Sequence, residues 1–193
     1  MVATGKRISF AEYLHYTDGS DTKYELVNGE PVPMALPTGK HATVGKRLER
    51  YLDQEITRLG LNWVTVRGEV GVRCPRGADL DTVRIPDLLV MPEQDWLKLQ
   101  NKPAVIDFDC PAPLLVIEVV SPSTKTTDYR TKRTEYAARD IPEYWIVDPL
   151  DMKILVLTNS DGWFDVQEFM NDNCIKSPAF PEVEITPLQL MSD

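Results

Sequence analysis

Apolar positions along the chain change period several times, and each change marks an element. Val44, Leu48, Tyr51, Leu52, Ile56 and Leu59 recur three or four residues apart, as on one face of a helix, and Gly60 supplies a stop. Upstream, Ser9-Phe10-Ala11-Glu12 has capping-box form and predicts a short helix to about Tyr16. Tyr24–Val27 and Glu30–Val32 flank Asn28-Gly29, the pair that best tolerates positive φ in a type I′ hairpin turn. Trp63–Val66 and Val70–Val72 alternate as half-buried strands do. Cys74–Asp81, with its proline, glycine and two aspartates, reads as a turn, and Val83–Met91 reads as a strand. Leu114–Val120 is apolar on both faces, as in a central strand covered on both sides. Glu93–Leu99 reads as a helical turn and Asn101–Pro113 as a loop. Helical spacing returns over Thr127–Arg139, with Tyr129, Tyr136 and Ala137 on one side. A strand at Tyr144–Val147 closes at Asp148-Pro149, and Ile154–Leu157 pairs with Trp163–Phe169 around Ser160-Asp161-Gly162. The remainder is acidic and punctuated by proline.

This order predicts an α/β (α+β) fold: a mixed sheet flanked by helices, with an N-terminal helix and hairpin and extra C-terminal strands. At 193 residues, a single domain over 1–193 is expected. No apolar run reaches the length of a membrane span, and Met1–Phe10 has no apolar signal core. Three cysteines far apart (Cys74, Cys110, Cys174) suit a reducing compartment, so a cytoplasmic location is expected.

Charge complicates any nucleic-acid role. Lys and Arg number 21 against 30 Asp and Glu, a net charge of −9, whereas phosphate binding needs cationic surface. The charge is uneven, however. Residues 125–139 carry Lys125, Arg130, Lys132, Arg133 and Arg139 against Asp128 and Glu135, and the segment from Asp161 onward is strongly acidic. Any DNA association is therefore expected to be salt-sensitive and to need a divalent cation that neutralises carboxylates.

Glu118 interrupts the central strand Leu114–Val120. A carboxylate buried among aliphatic residues needs a partner. A salt bridge to a structural arginine would serve; so would a role as metal ligand or catalytic acid/base. Asp87 follows Pro86, where the lost N–H should make the strand irregular, so Asp87 either caps a turn or is re-aimed at a site. Two hard oxygen donors on neighbouring strands suit Mg²⁺ or Mn²⁺. Asp128 and Lys132, four apart on one helix, either form a solvated ion pair or bring the lysine to those acids, where it could hold an attacking water or steady charge on a phosphate. His15 reads as packing among aromatics. His41, at the start of the long helix, reads as structural or as a contact to phosphate or water. Glu30 and Glu69, near strand ends, could each add a carboxylate. With two histidines, a multi-histidine zinc site is excluded and a nucleophilic triad is disfavoured.

Several pieces together carry a resemblance. Tyr24-Glu25-Leu26-Val27-Asn28-Gly29-Glu30, Pro37 to His41, Pro86-Asp87-Leu88-Leu89-Val90 and Val116-Ile117-Glu118-Val119-Val120-Ser121-Pro122-Ser123 appear in order. Asp128 with Lys132 and Tyr136 follow, and then Glu143-Tyr144-Trp145-Ile146-Val147-Asp148-Pro149. In this combination the chain resembles the Uma-type restriction endonucleases, a branch of the PD-(D/E)XK nuclease superfamily. The resemblance implies a restriction-endonuclease-like core with about four main strands, and Mg²⁺- or Mn²⁺-dependent hydrolysis of DNA phosphodiester bonds. Asp87 and Glu118 would be metal ligands, joined by the backbone carbonyl of Val119. The superfamily lysine belongs two residues after the acid, where this chain has Val120. Lys132 is the expected substitute and Lys125 the alternative, with His41, Asp128 and Tyr136 in support.

The leading expectation is thus a metal-dependent DNA endonuclease, working as a homodimer by analogy. The competing one is a catalytically inactive DNA- or protein-binding module of the same fold. A small-nucleotide phosphoesterase is a third reading.

Overall fold

A computed structural model of the chain describes residues 7–75 and 80–192; residues 76–79 of the expected turn at 74–81 lie outside the described residues. Helix α1 (Phe10–Tyr13) begins at the capping box, with the Ser9 hydroxyl accepting Glu12 N–H and the Glu12 carboxylate answering the Ser9 amide. It ends sooner than the spacing predicts, and His15 is exposed rather than packed. The hairpin of β1 (Tyr24–Val27) and β2 (Glu30–Pro33) turns at Asn28 and Gly29, whose φ angles are 53° and 78°. Helix α2 (Gly39–Leu59) is capped by the Thr38 hydroxyl and stopped by Gly60 at φ 63°.

The remaining elements are β3 (Trp63–Val66), β4 (Gly71–Cys74), β5 (Thr82–Arg84), β6 (Leu88–Pro92), α3 (Glu93–Leu97), β7 (Val105–Ile106) and β8 (Leu115–Val119). A π-helical segment (Thr127–Lys132) follows and runs into α4 (Arg133–Ala138). Then come β9 (Glu143–Asp148), β10 (Lys153–Ser160), β11 (Trp163–Met170) and α5 (Pro187–Met191).

Two mixed sheets result. The larger has the order β11-β10-β9-β8-β6-β3, with β8 and β9 parallel and the other pairs antiparallel. The smaller has the order β2-β1-β5-β4-β7. The second sheet arises where one strand was expected over Val83–Met91. Its two halves, β5 and β6, belong to different sheets, joined through Ile85-Pro86-Asp87. Pro86 has no N–H to offer a ladder, and the Ile85 N–H goes to the Glu25 carboxylate instead. The expected 101–113 loop contains β7, parallel to β4.

Alternation on β8 divides the core. Leu115, Ile117 and Val119 meet Val44, Leu48, Leu52 and Ile56 of α2, and the C-terminal Phe180, Val183, Ile185 and Leu190 extend that layer. Val116 and Val120 face the opposite layer, which holds Tyr136 and Ala137 of α4 and reaches Val72 and Ile106 of the smaller sheet. Glu118 takes the polar position on this second face. The C-terminal segment is fastened to β9 by buried Glu143, which accepts Ala179 N–H at 2.7 Å. Helix α5, unanticipated, has its own capping box in Thr186 and Gln189, with Pro187 in the first turn.

Candidate active site

Register brings the two predicted acids together. Leu88 of β6 pairs with Ile117 of β8, so Asp87 and Glu118 stand one step beyond that pair. Asp87 sits at the break between the sheets, half-buried. Its Oδ2 accepts Val119 N–H at 2.7 Å and lies 3.1 Å from His41 Nε2 on the first turn of α2. Asp87 beside it raises the His41 pKa, with burial opposing. One carboxylate oxygen of Asp87 is thus fixed by two groups.

Glu118 is 2% exposed. Tyr136 donates to its Oε1 at 2.6 Å, and Lys132 Nζ lies 2.9 Å from its Oε2. Burial pushes its carboxyl up to about 8; Lys132 opposes that shift, and Asp87, Asp128 and Glu25 reinforce it. For Lys132, burial favours the neutral amine, but Glu118, Glu25 and Asp128 outweigh it and keep the lysine cationic. The Tyr136 hydroxyl is held well above its usual pKa by burial and by Glu118, so it stays a donor.

The helix geometry explains this convergence. Asp128, Lys132 and Tyr136 are successive fourth residues, and a π-helical stretch widens the turn enough to stack them. All three are buried. Asp128 Oδ1 is 3.2 Å from Lys132 Nζ, while Oδ2 has no hydrogen-bond partner among the described residues. Burial raises the Asp128 pKa, opposed chiefly by Lys132. Tyr144 of β9 fixes the segment by donating to the Asp128 carbonyl at 3.0 Å.

The alternative lysine is elsewhere. Lys125 is tied to Asp148 and Asp151 at 3.1 and 2.8 Å, beside the turn between β9 and β10. Nor is the cationic helix an open basic face. Arg133 donates to the Phe164 carbonyl and Arg139 to the carbonyls of Asp107 and Cys110, which leaves Arg130 as its exposed cation. Glu30 pairs with Arg7, and Glu69 with Lys23. The carboxylate that does join the cluster is Glu25 of β1, 3.9 Å from Lys132 Nζ. Sequence reading missed its role. The available signal was a single Glu inside the apolar-edged strand Tyr24–Val27.

Glu118, Asp128 and Glu25 converge on one ammonium, and Asp87 is near enough to Glu118 to raise its carboxyl, so the acidic groups outnumber the cations even with Arg84 on Glu25. Hard oxygen donors and surplus negative charge suit Mg²⁺ or Mn²⁺. Among the described residues no group of three or more His, Cys, Asp or Glu is placed to hold a metal ion by itself.

Three comparisons with known proteins each give a match. The family model described as "Uma2: Putative restriction endonuclease" matches residues 10–189. An uncharacterized protein of Synechocystis sp. is 28% identical over 151 residues, spanning 77% of this chain and 78% of its own. A crystal structure from Anabaena variabilis, titled a putative nuclease belonging to DUF820, superposes with a TM-score of 0.75 at 18% identity. That match covers 96% of this chain and 98% of the other, and shows a shared fold. No described helix is long and apolar enough to cross a membrane.

Proposed function

The chain belongs to the Uma2 family, and on that premise we propose that it is a divalent-metal-dependent DNA endonuclease acting at the Asp87–Glu118–Lys132 cluster. The observation that carries this reading is Lys132 Nζ at 2.9 Å from Glu118, on a helix rather than two residues along the strand. An ammonium is thereby supplied where the strand has Val120, itself buried in the apolar core.

Asp87 and Glu118 would hold the cation, with the Val119 carbonyl. When bound, it lowers the pKa of a water and neutralises charge on the scissile phosphate. The chain's own groups do the positioning. Tyr136 fixes Glu118, while His41 and Val119 N–H fix Asp87. Lys132, held cationic, would orient the attacking water or steady the charge that develops on phosphate. Cutting both strands calls for two such sites, which a homodimer would supply.

The test is nicking of supercoiled plasmid by purified protein with Mg²⁺ or Mn²⁺. Wild type should nick and EDTA should stop it; Asp87→Asn, Glu118→Gln and Lys132→Ala should be inactive while folded. Equal activity in wild type and all three variants would overturn the assignment. Sedimentation of the same sample reads the dimer.

A further inference from the structure

We propose that Glu25 is a positioning residue for this site, fastening the Lys132 helix and the Asp87 strand break to one another. The inference rests on the endonuclease reading for its catalytic consequence, and on geometry alone for the mechanical one.

Glu25 divides its two oxygens. Oε1 accepts the Ile85 N–H at 3.0 Å, two residues before Asp87, and stands 3.9 Å from Lys132 Nζ. Oε2 accepts from Arg84 Nη1 at 2.8 Å. Arg84 is 3% exposed and also grips Glu135 through Nε and Nη2 at 2.7 and 3.1 Å. Glu135 lies on α4, one turn past Lys132. Arg84 therefore ties β5 to the helix that carries the lysine, and β5 leads through Ile85 and Pro86 directly to Asp87.

One guanidinium faces two carboxylates here, buried Glu135 and partly buried Glu25, so its charge is shared. Among the described residues, the other cation within ion-pair reach of Glu25 is Lys132. Ordinary sheet adhesion would need none of this. The β1–β5 ladder has one paired position, Leu26 with Val83, extended by Asn28 N–H to the Thr82 hydroxyl and Gly29 N–H to the Asp81 carbonyl, and a neutral side chain could accept the Ile85 N–H. The carboxylate adds a third acidic group around Lys132, 3.9 Å from its Nζ, beside the 2.9 Å contact with Glu118 and the 3.2 Å contact with Asp128. Three carboxyl groups from three elements then define the ammonium position, and loss of the Glu25 contact leaves Lys132 to settle on the other two. Misplacement of a reacting group by about 1 Å is enough to slow an enzyme on the order of a hundredfold.

The experiment uses Glu25→Gln, which keeps an acceptor for Ile85 and removes the charge. Two readouts are taken on the full chain. The first is the Lys132 ammonium signal in a ¹H–¹⁵N spectrum of lysine-labelled, metal-free protein, assigned with Lys132→Arg. The second is plasmid cleavage in Mg²⁺, resolved into kcat and KM. The expected result is a shifted or lost Lys132 signal, and kcat lower by about tenfold or more with KM within about twofold. An unmoved ammonium signal, or wild-type kcat, overturns the proposal. If wild type itself does not cleave DNA, the endonuclease reading fails and the ammonium signal alone decides the hold of Glu25 on Lys132. Should Glu25→Gln not fold, Glu25→Asp, which withdraws the charge by one methylene, is judged by the same outcomes.

Discussion

Replacing Glu118 by Gln should flatten a pH dependence of stability that the wild-type site imposes. In the metal-free protein the Glu118 carboxyl is raised from 4.5 to about 8, first by burial and then by Asp87, Asp128 and Glu25, against Lys132. Its folded pKa thus lies above its unfolded one. Below about pH 4.5 both states hold the proton, and the contribution to stability is fully present. As pH rises toward 8, the unfolded chain has lost the proton while the folded chain keeps it, so stability falls. The slope approaches about 1.4 kcal/mol per pH unit across that window. With roughly 2–4 °C of Tm per kcal/mol for a chain of this size, the whole effect is on the order of 10 °C. Gln keeps the shape and has no proton to lose. Melting curves at intervals from about pH 5 to 8 in EDTA, for wild type and Glu118→Gln, isolate this group, because every other titration is common to both proteins. The wild-type curve should fall more steeply. Adding Mg²⁺ at the alkaline end should recover wild-type Tm by mass action and move the variant less. Parallel curves in EDTA would refute the reasoning.

Two further outcomes follow from the same contacts. Lys132→Met leaves Glu118 and Asp128, both almost fully enclosed, without their cation; urea unfolding should show a loss of about 3–5 kcal/mol, larger at alkaline than at acid pH. Gly71→Ala puts a Cβ 2.8 Å from Val83 Cγ1 and 3.1 Å from Val105 Cγ2 in the smaller sheet; overpacking there should lower stability by about 1–3 kcal/mol in the same assay, leaving plasmid nicking in Mg²⁺ to report whether β5 still delivers Asp87.

Much of this protein is local and therefore written in the sequence. The α1 capping box, the Asn28-Gly29 turn, the long α2 and its Gly60 stop, and the doubly apolar β8 each depend on residues a few positions apart, so periodicity and turn chemistry suffice. Glu118 stood out for the same reason, as one carboxylate in an aliphatic run. Tertiary structure decided what those rules cannot reach. The proline at 86 signals a break, but only the sheet pairing divides the run into two strands in two sheets and leaves Asp87 between them. A four-residue spacing puts Asp128, Lys132 and Tyr136 on one helix face, but the π-helical turn and the crossover from β8 to β9 aim that face at Glu118. Lys125 is the alternative to Lys132 by sequence, and the fold pairs it instead with Asp148 and Asp151, brought close by the next strands. Glu25 showed locally only as a lone acid in a short strand, because its partners Ile85, Arg84 and Lys132 are between 59 and 107 residues away along the chain. Sequence determines the elements, whose energies are short-range. The site is a set of long-range electrostatic contacts, and those exist only once the two sheets and the helix between them have packed.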